Sequence, residues 1–303
     1  MRRFLGETLN TLFSALRSAS GGMQLFSAPK DRPARRGFLL EELSWPEAER
    51  ALTGETVVVI PLGAQAKEHG HHLPLQNDWL LAEYLKRRVV EASEVVVAPT
   101  VNYSFYPAFM EYPGSSTLSR RTACSIFVEI CRGWAKHGPR RFYILNTGLS
   151  TLVPLRDAAA ILAREGVILP FSDEAVFAGV QKAAQWEQPR GSHADELETS
   201  MMLFIAPEVV DMGRARPDCA PERPGPLTRF LGRPGTYSPT GAWGDPTRAT
   251  REKGRAAVEA FLGGLLRQVE SLRTEPIGLS PEQVGHQVAV DGLLPLVANG
   301  RGD

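Results

Sequence analysis

Over 303 residues, 34 Lys and Arg balance 34 Asp and Glu, so the formal net charge is zero with His neutral. That balance excludes the one-signed field that draws in nucleic acid or an anionic membrane, and it favours a small neutral or zwitterionic partner. Cys124, Cys131 and Cys219 cannot all pair within one chain and none forms a Cys-x-x-Cys pair, which points to a reducing, cytoplasmic setting.

The first 36 residues read as an N-terminal amphipathic helix and a basic linker. Phe4, Leu5, Leu9, Leu12, Phe13 and Leu16 recur at helical spacing, followed by "SAPKDRPARRG". Two leading arginines and small residues near 20 also fit an atypical secretory signal, although Glu7 and Asn10 interrupt the apolar stretch. No run reaches the roughly 20 apolar residues of a membrane span. Residues 37–275 then alternate between apolar runs and helical patterns. "TVVVIPLG" (56–63), "EVVVAPT" (94–100), "RRFYILN" (140–146) and a short "VILP" read as strands. Between them, 79–92, "RRTACSIFVEICRGWAKHG" and "LRDAAAILAREG" read as helices. Strand runs without period-two alternation imply a parallel sheet covered on both faces, an α/β sandwich of three layers, α/β/α. Residues 212–246 are rich in Pro, Gly and Arg. Phe230, Tyr237 and Trp243 favour an ordered, wrapping segment there over a disordered loop. "ATREKGRAAVEAFLGGLLRQVESLR" is a long helix, and 276–303 form a weakly structured tail.

The loop after the first strand, "IPLGAQAKEHGHHLPLQND", places three of the six histidines beside Glu68 and Asp78. Ligand sites of open parallel sheets lie at such carboxyl ends. Imidazole with carboxylate suits zinc, manganese, iron or cobalt, so Glu68, His69 and Asp78 are candidate ligands of a divalent metal. Asp78 could instead cap the following helix. Adjacent side chains diverge, so one of His71 and His72 faces the site and the other faces water; His72 is taken as the pocket residue. Ser192 and Asp195 have the form of a capping box, which predicts a helix starting at His193, with that imidazole kept neutral near the positive helix end. Glu198, among Leu197, Met201 and Met202, needs a partner: backbone amides, a histidine or a metal. Tyr106 and Trp243, with Phe109 and Trp186, either wall a pocket or fill the core.

These residues resemble the creatininase, or creatinine amidohydrolase, family. "PLG", "HGHHLPL" and Asp78 follow its first motif, "EYPGSSTLS" its Phe-Pro-Gly loop and "HADELETSMML" its His-x-Gly-x-x-Glu-Thr-Ser segment. "TREKG" matches the start of its last helix. The resemblance implies a creatininase-like fold, a homo-oligomer and hydrolysis of a non-peptide C–N bond in a small or cyclic amide. It also implies a divalent metal centre (Zn, Mn or Fe), with His69 and Asp78 as ligands, His193 as proton carrier and Glu198 as its supporting carboxylate. Two departures stand out. Lys67 holds the position of the family's first carboxylate, with Glu68 one residue late. Gly148 and Ser150 stand where its later His and Glu would be. The expectation is a remodelled site of one ion rather than two, with Glu111 supplying a carboxylate. Deformylase-like or peptidase-like chemistry, and a non-catalytic binding or assembly protein, are the alternatives.

Overall fold

The computed structural model describes residues 35–277; the amphipathic helix and most of the tail expected from sequence lie outside them. Four strands form one parallel sheet in the order β1 (Phe38–Leu39), β3 (Val96–Val97), β2 (Val57–Leu62), β4 (Arg141–Asn146). β2 and β4 pair over their full length, from Val57 opposite Arg141 to Leu62 opposite Asn146. Every residue of both strands is buried. Residues 94–100 give only the two-residue β3, but the ladder continues through Ala98 N–H to Val59 O and Val101 N–H to Pro61 O. "VILP" joins β4 through a bridge at Ile168, and the next residue, Phe171, bridges to Ile144.

The pleat sends successive side chains to opposite faces, and each face has its own apolar layer. Val57, Val59, Tyr143 and Leu145 pack on α2 (Asn77–Ala92), α5 (Glu174–Ala184), α6 (Glu196–Ile205) and α7 (Arg251–Thr274). Val58, Ile60, Phe142 and Ile144 pack on α3 (Arg120–Ala135) and α4 (Leu152–Ala163). This is the expected α/β/α arrangement. A short helix, α1 (Trp45–Ala51), begins with a capping box between Ser44 and Glu47. α5 was not anticipated, although Val176, Val180 and Ala184 recur at helical spacing and Asp173 caps it. The Pro/Gly-rich stretch is ordered and carries two short strands, β5 (Leu227–Thr228) and β6 (Thr236–Tyr237). Among the described residues no helix is long and apolar enough to cross a membrane.

Candidate active site

Four segments meet beyond the carboxyl ends of β2 and β4. Leu62 ends β2 and leads into the histidine loop; Asn146 ends β4 and leads into Thr147, Gly148 and Ser150. The third segment, Ser192 to Asp195, precedes α6. The fourth comes from the wrapping stretch, where Trp243 pairs antiparallel with His193: Trp243 N–H donates to His193 O (2.7 Å) and His193 N–H to Trp243 O (3.2 Å).

His69 is fully buried. Its Nδ1 lies 2.9 Å from the Lys67 carbonyl oxygen, and its Nε2 lies 2.8 Å from Asp78 Oδ1. A carbonyl oxygen only accepts, so Nδ1–H donates to Lys67 O, and Nε2 is the ring atom paired with the Asp78 carboxylate. The other Asp78 oxygen, Oδ2, is 2.6 Å from the buried Lys67 ammonium. Burial opposes ionisation of Asp78, but Lys67 and His69 outweigh it and hold the carboxyl well below the usual range. Burial likewise opposes the charge on Lys67, yet Asp78 and Glu198 leave its pKa raised. Removing either partner alone would strand a buried charge at a cost of about 3–5 kcal/mol.

His193 repeats the pattern. Its Nε2 donates to Glu68 Oε1 (2.8 Å) and lies 3.0 Å from the Glu68 carbonyl oxygen, which leaves Nδ1 facing Glu198 Oε2 at 3.7 Å. Glu198 Oε2 also accepts from Ala194 N–H at 2.6 Å. Ala194 holds a left-handed backbone (φ 46°), a conformation costly for a residue with a Cβ that recurs where a site imposes geometry. Burial would lower the pKa of His193, but the Glu68 and Glu198 carboxylates raise it overall. Burial also opposes charge on Glu68, while His193 and Gly70 N–H hold its pKa down.

A place that stabilises a buried ammonium and raises a buried imidazole is a place that attracts cations. One donor atom each from His69, His193 and Glu198 lie within 4.8 Å of one another, the one such group of metal-binding side chains among the described residues. Nitrogen and carboxylate donors of this kind suit a zinc-like ion, so the residues present fit a metal. The group opens on a cavity of about 260 Å³ whose wall includes Lys67, His193, Glu198, Phe109, Ser150 and Trp243.

Several expectations need correction. α6 begins at Glu196, not at His193, because Asp195 is the N-cap: its Oδ1 accepts from Leu197 and Glu198 N–H. His193 therefore lies in a bridge ahead of the helix, and neighbouring carboxylates rather than the helix dipole set its charge. Asp78 does not cap α2, which starts at Asn77. Glu111 is not brought to the site: it binds Thr228 Oγ1 (2.8 Å), Arg229 N–H (3.2 Å) and Arg233 (3.1 Å) instead. Glu198 is the half-buried member of the group, at 19% side-chain exposure. His72 is buried and bound to Thr199 Oγ1 (2.8 Å), while His71 is exposed. Tyr106 is buried beside Phe109 and Tyr112 and is not part of the cavity wall; Trp243 is. The sequence motif shows Lys67 only as the occupant of another residue's position. Its burial and its bond to Asp78 emerge from the three-dimensional arrangement alone.

The creatininase family profile, described as creatinine amidohydrolase, matches residues 41–269, and the chain belongs to that family of hydrolases. It is 28% identical over 252 residues to the creatinine amidohydrolase of Pseudomonas putida, covering 76% of this chain and 95% of the relative. It is 27% identical over 263 residues to the mycofactocin precursor peptide peptidase of Mycobacterium tuberculosis (strain CDC 1551 / Oshkosh), covering 81% and 97%. A solved creatininase described as Zn-Zn type superposes with a TM-score of 0.66 at 24% identity, covering 78% of this chain and 98% of that one.

Proposed function

We propose that the chain is a metal-dependent hydrolase that cleaves the C–N amide bond of a small or cyclic amide in the cavity beside His193. The observation that carries this is the convergence of His69, His193 and Glu198, whose donor atoms lie within 4.8 Å of one another and whose side chains are each held by a hydrogen bond to a neighbour. Those three residues would hold a divalent ion, zinc by the donor chemistry. Such an ion, when bound, lowers the pKa of water and polarises a carbonyl.

The chain's own groups supply the rest. Glu68 and the Lys67 carbonyl fix the two imidazole tautomers, as partners behind ligating histidines commonly do. The Lys67 ammonium, held by Asp78 on one side, lines the cavity and offers N–H donors to a substrate carbonyl oxygen. Glu198 Oε2 is held by Ala194 N–H, and Oε1 has no hydrogen-bond partner among the described residues. Oε1 carries a proton from the attacking water to the leaving nitrogen, a role that the resemblance assigned to His193. Phe109, whose ring lies 4.3 Å from that of His193, and Trp243 exclude water on two sides.

The test is elemental analysis of the purified protein beside His69→Ala and Glu198→Gln variants, with hydrolysis of creatinine, formamides and short peptides followed by amine release. Metal in the wild type, its loss in His69→Ala and cleavage of one substrate abolished in Glu198→Gln are expected. Equal absence of metal from all three preparations, with no cleavage, would point to a binding or assembly protein and sink the hydrolase reading.

A further inference from the structure

We infer that the Lys67 ammonium is a built-in cation of the site, taking the place a second metal ion would need and limiting the chain to one divalent ion. The inference rests on the proposed metal reading and deepens it. Asp78 reaches in two directions at once: Oδ1 lies 2.8 Å from His69 Nε2, and Oδ2 lies 2.6 Å from Lys67 Nζ. A carboxylate so placed spans two positions of positive charge, one beside the imidazole and one already filled by a side chain.

Three features show that the ammonium is built in. Lys67 Nζ sits 4.9 Å from the centre of the Phe109 ring, an arrangement that favours a cation. The backbone on either side is anchored, with Lys67 N–H donating to Leu75 O and Lys67 O accepting from His69. The side chain is only 4% exposed, so the ammonium is held against Asp78 and Phe109 rather than in bulk water.

Charge counting agrees. Among the carboxylates that contact Lys67 or either imidazole, Asp78, Glu68 and Glu198 contribute three negative charges and Lys67 one positive, leaving two to be balanced while both histidines are neutral ligands. One divalent ion closes that balance; a second would leave two positive charges in a largely buried site, which is unfavourable. A simple structural ion pair explains the scene less well. Buried pairs are replaceable by apolar residues at little cost, and this one faces a cavity beside the donor group.

Native mass spectrometry with elemental analysis, on full-length protein equilibrated with excess zinc and then dialysed, tests the inference. Expected are one zinc per chain in the wild type and two in Lys67→Glu. In Lys67→Met, which removes the charge without adding a ligand, the first zinc should bind at least tenfold more tightly. Circular dichroism checks each variant; should Lys67→Glu not fold, the affinity of Lys67→Met decides. Two zincs in the wild type overturn the inference and leave the hydrolase reading standing. One zinc in both proteins with unchanged affinity in Lys67→Met also overturns it. A zinc-free wild type beside a zinc-loaded Lys67→Glu overturns the limit of one ion and removes the hydrolase reading with it. No zinc in any of the three removes both.

Discussion

Gly241 presses its backbone against the carboxylate of Glu68: a methyl group on Gly241 would sit 2.3 Å from Glu68 Oε2. Gly241 also has φ 84°, a conformation that L side chains rarely adopt. A Gly241→Ala substitution therefore strains the backbone and pushes Glu68 off His193. The expected result is a loss of about 1–3 kcal/mol of stability, the usual cost of overpacking. Zinc binding should weaken alongside, because the His193 tautomer is no longer fixed. Thermal unfolding together with zinc titration checks this. Wild-type affinity in a destabilised protein would show that Glu68 does not orient His193.

A pH dependence of stability should trace to His72. Burial, followed by the charges of His69, His71 and His193, pushes its pKa down to about 4 from an ordinary 6.5. The unfolded chain therefore binds the proton more readily, so stability rises with pH through this interval. The contribution is fully present above about pH 6.5 and is lost as the pH falls towards about 4. At roughly 1.36 kcal/mol per pKa unit it amounts to about 3 kcal/mol. Denaturant melts of the wild type between pH 4 and 7 should show that slope, and His72→Gln should flatten it. An equal slope in the variant would assign the effect elsewhere.

The sheet was readable because buried parallel strands are apolar on both faces: the runs at 56–63 and 140–146 match β2 and β4 within a residue or two at each end. The helix before Glu198 was misplaced for a physical reason. Ser192 and Asp195 imitate a capping box, but Asp195 with Glu198 three positions on carries the same signal, and the backbone chose it by turning Ala194 left-handed. Glu111 was expected at the site from a position in a motif. Its side chain instead answers to Arg233 and Thr228, residues more than a hundred positions away that no local pattern connects to it. Lys67 shows the same limit from the other side. A lysine in a polar loop reads as solvated until the fold closes Asp78 and Phe109 around it.

The α6–α7 contact that supports Glu198 depends on Gly254. A Cβ there would meet the Ser200 carbonyl oxygen at 1.8 Å, and backbone atoms cannot yield as a side-chain tip can. Gly254→Ala gains intrinsic helix propensity of up to about 1 kcal/mol, so propensity and packing predict opposite signs. Packing should win, with a net loss of about 2 kcal/mol or more as α7 is forced from α6. Denaturant unfolding decides between them. A stabilised Gly254→Ala protein would mean that the two helices separate without penalty.

Glu111 provides a control for the whole assignment. It is the carboxylate that its motif position places near the metal, while the fold ties it to Arg233, Arg229 N–H and Thr228 on the wrapping stretch. The Arg233 side chain in that pair is 58% exposed, so water compensates much of what its loss would cost. Glu111→Ala should therefore keep the zinc content of the wild type, with a stability loss of about 1 kcal/mol from the buried Thr228 hydroxyl that loses its acceptor. His69→Ala, prepared in parallel, should lose the metal. Loss of zinc from a folded Glu111→Ala protein would return Glu111 to the ligand set and require the wrapping stretch to move on metal binding.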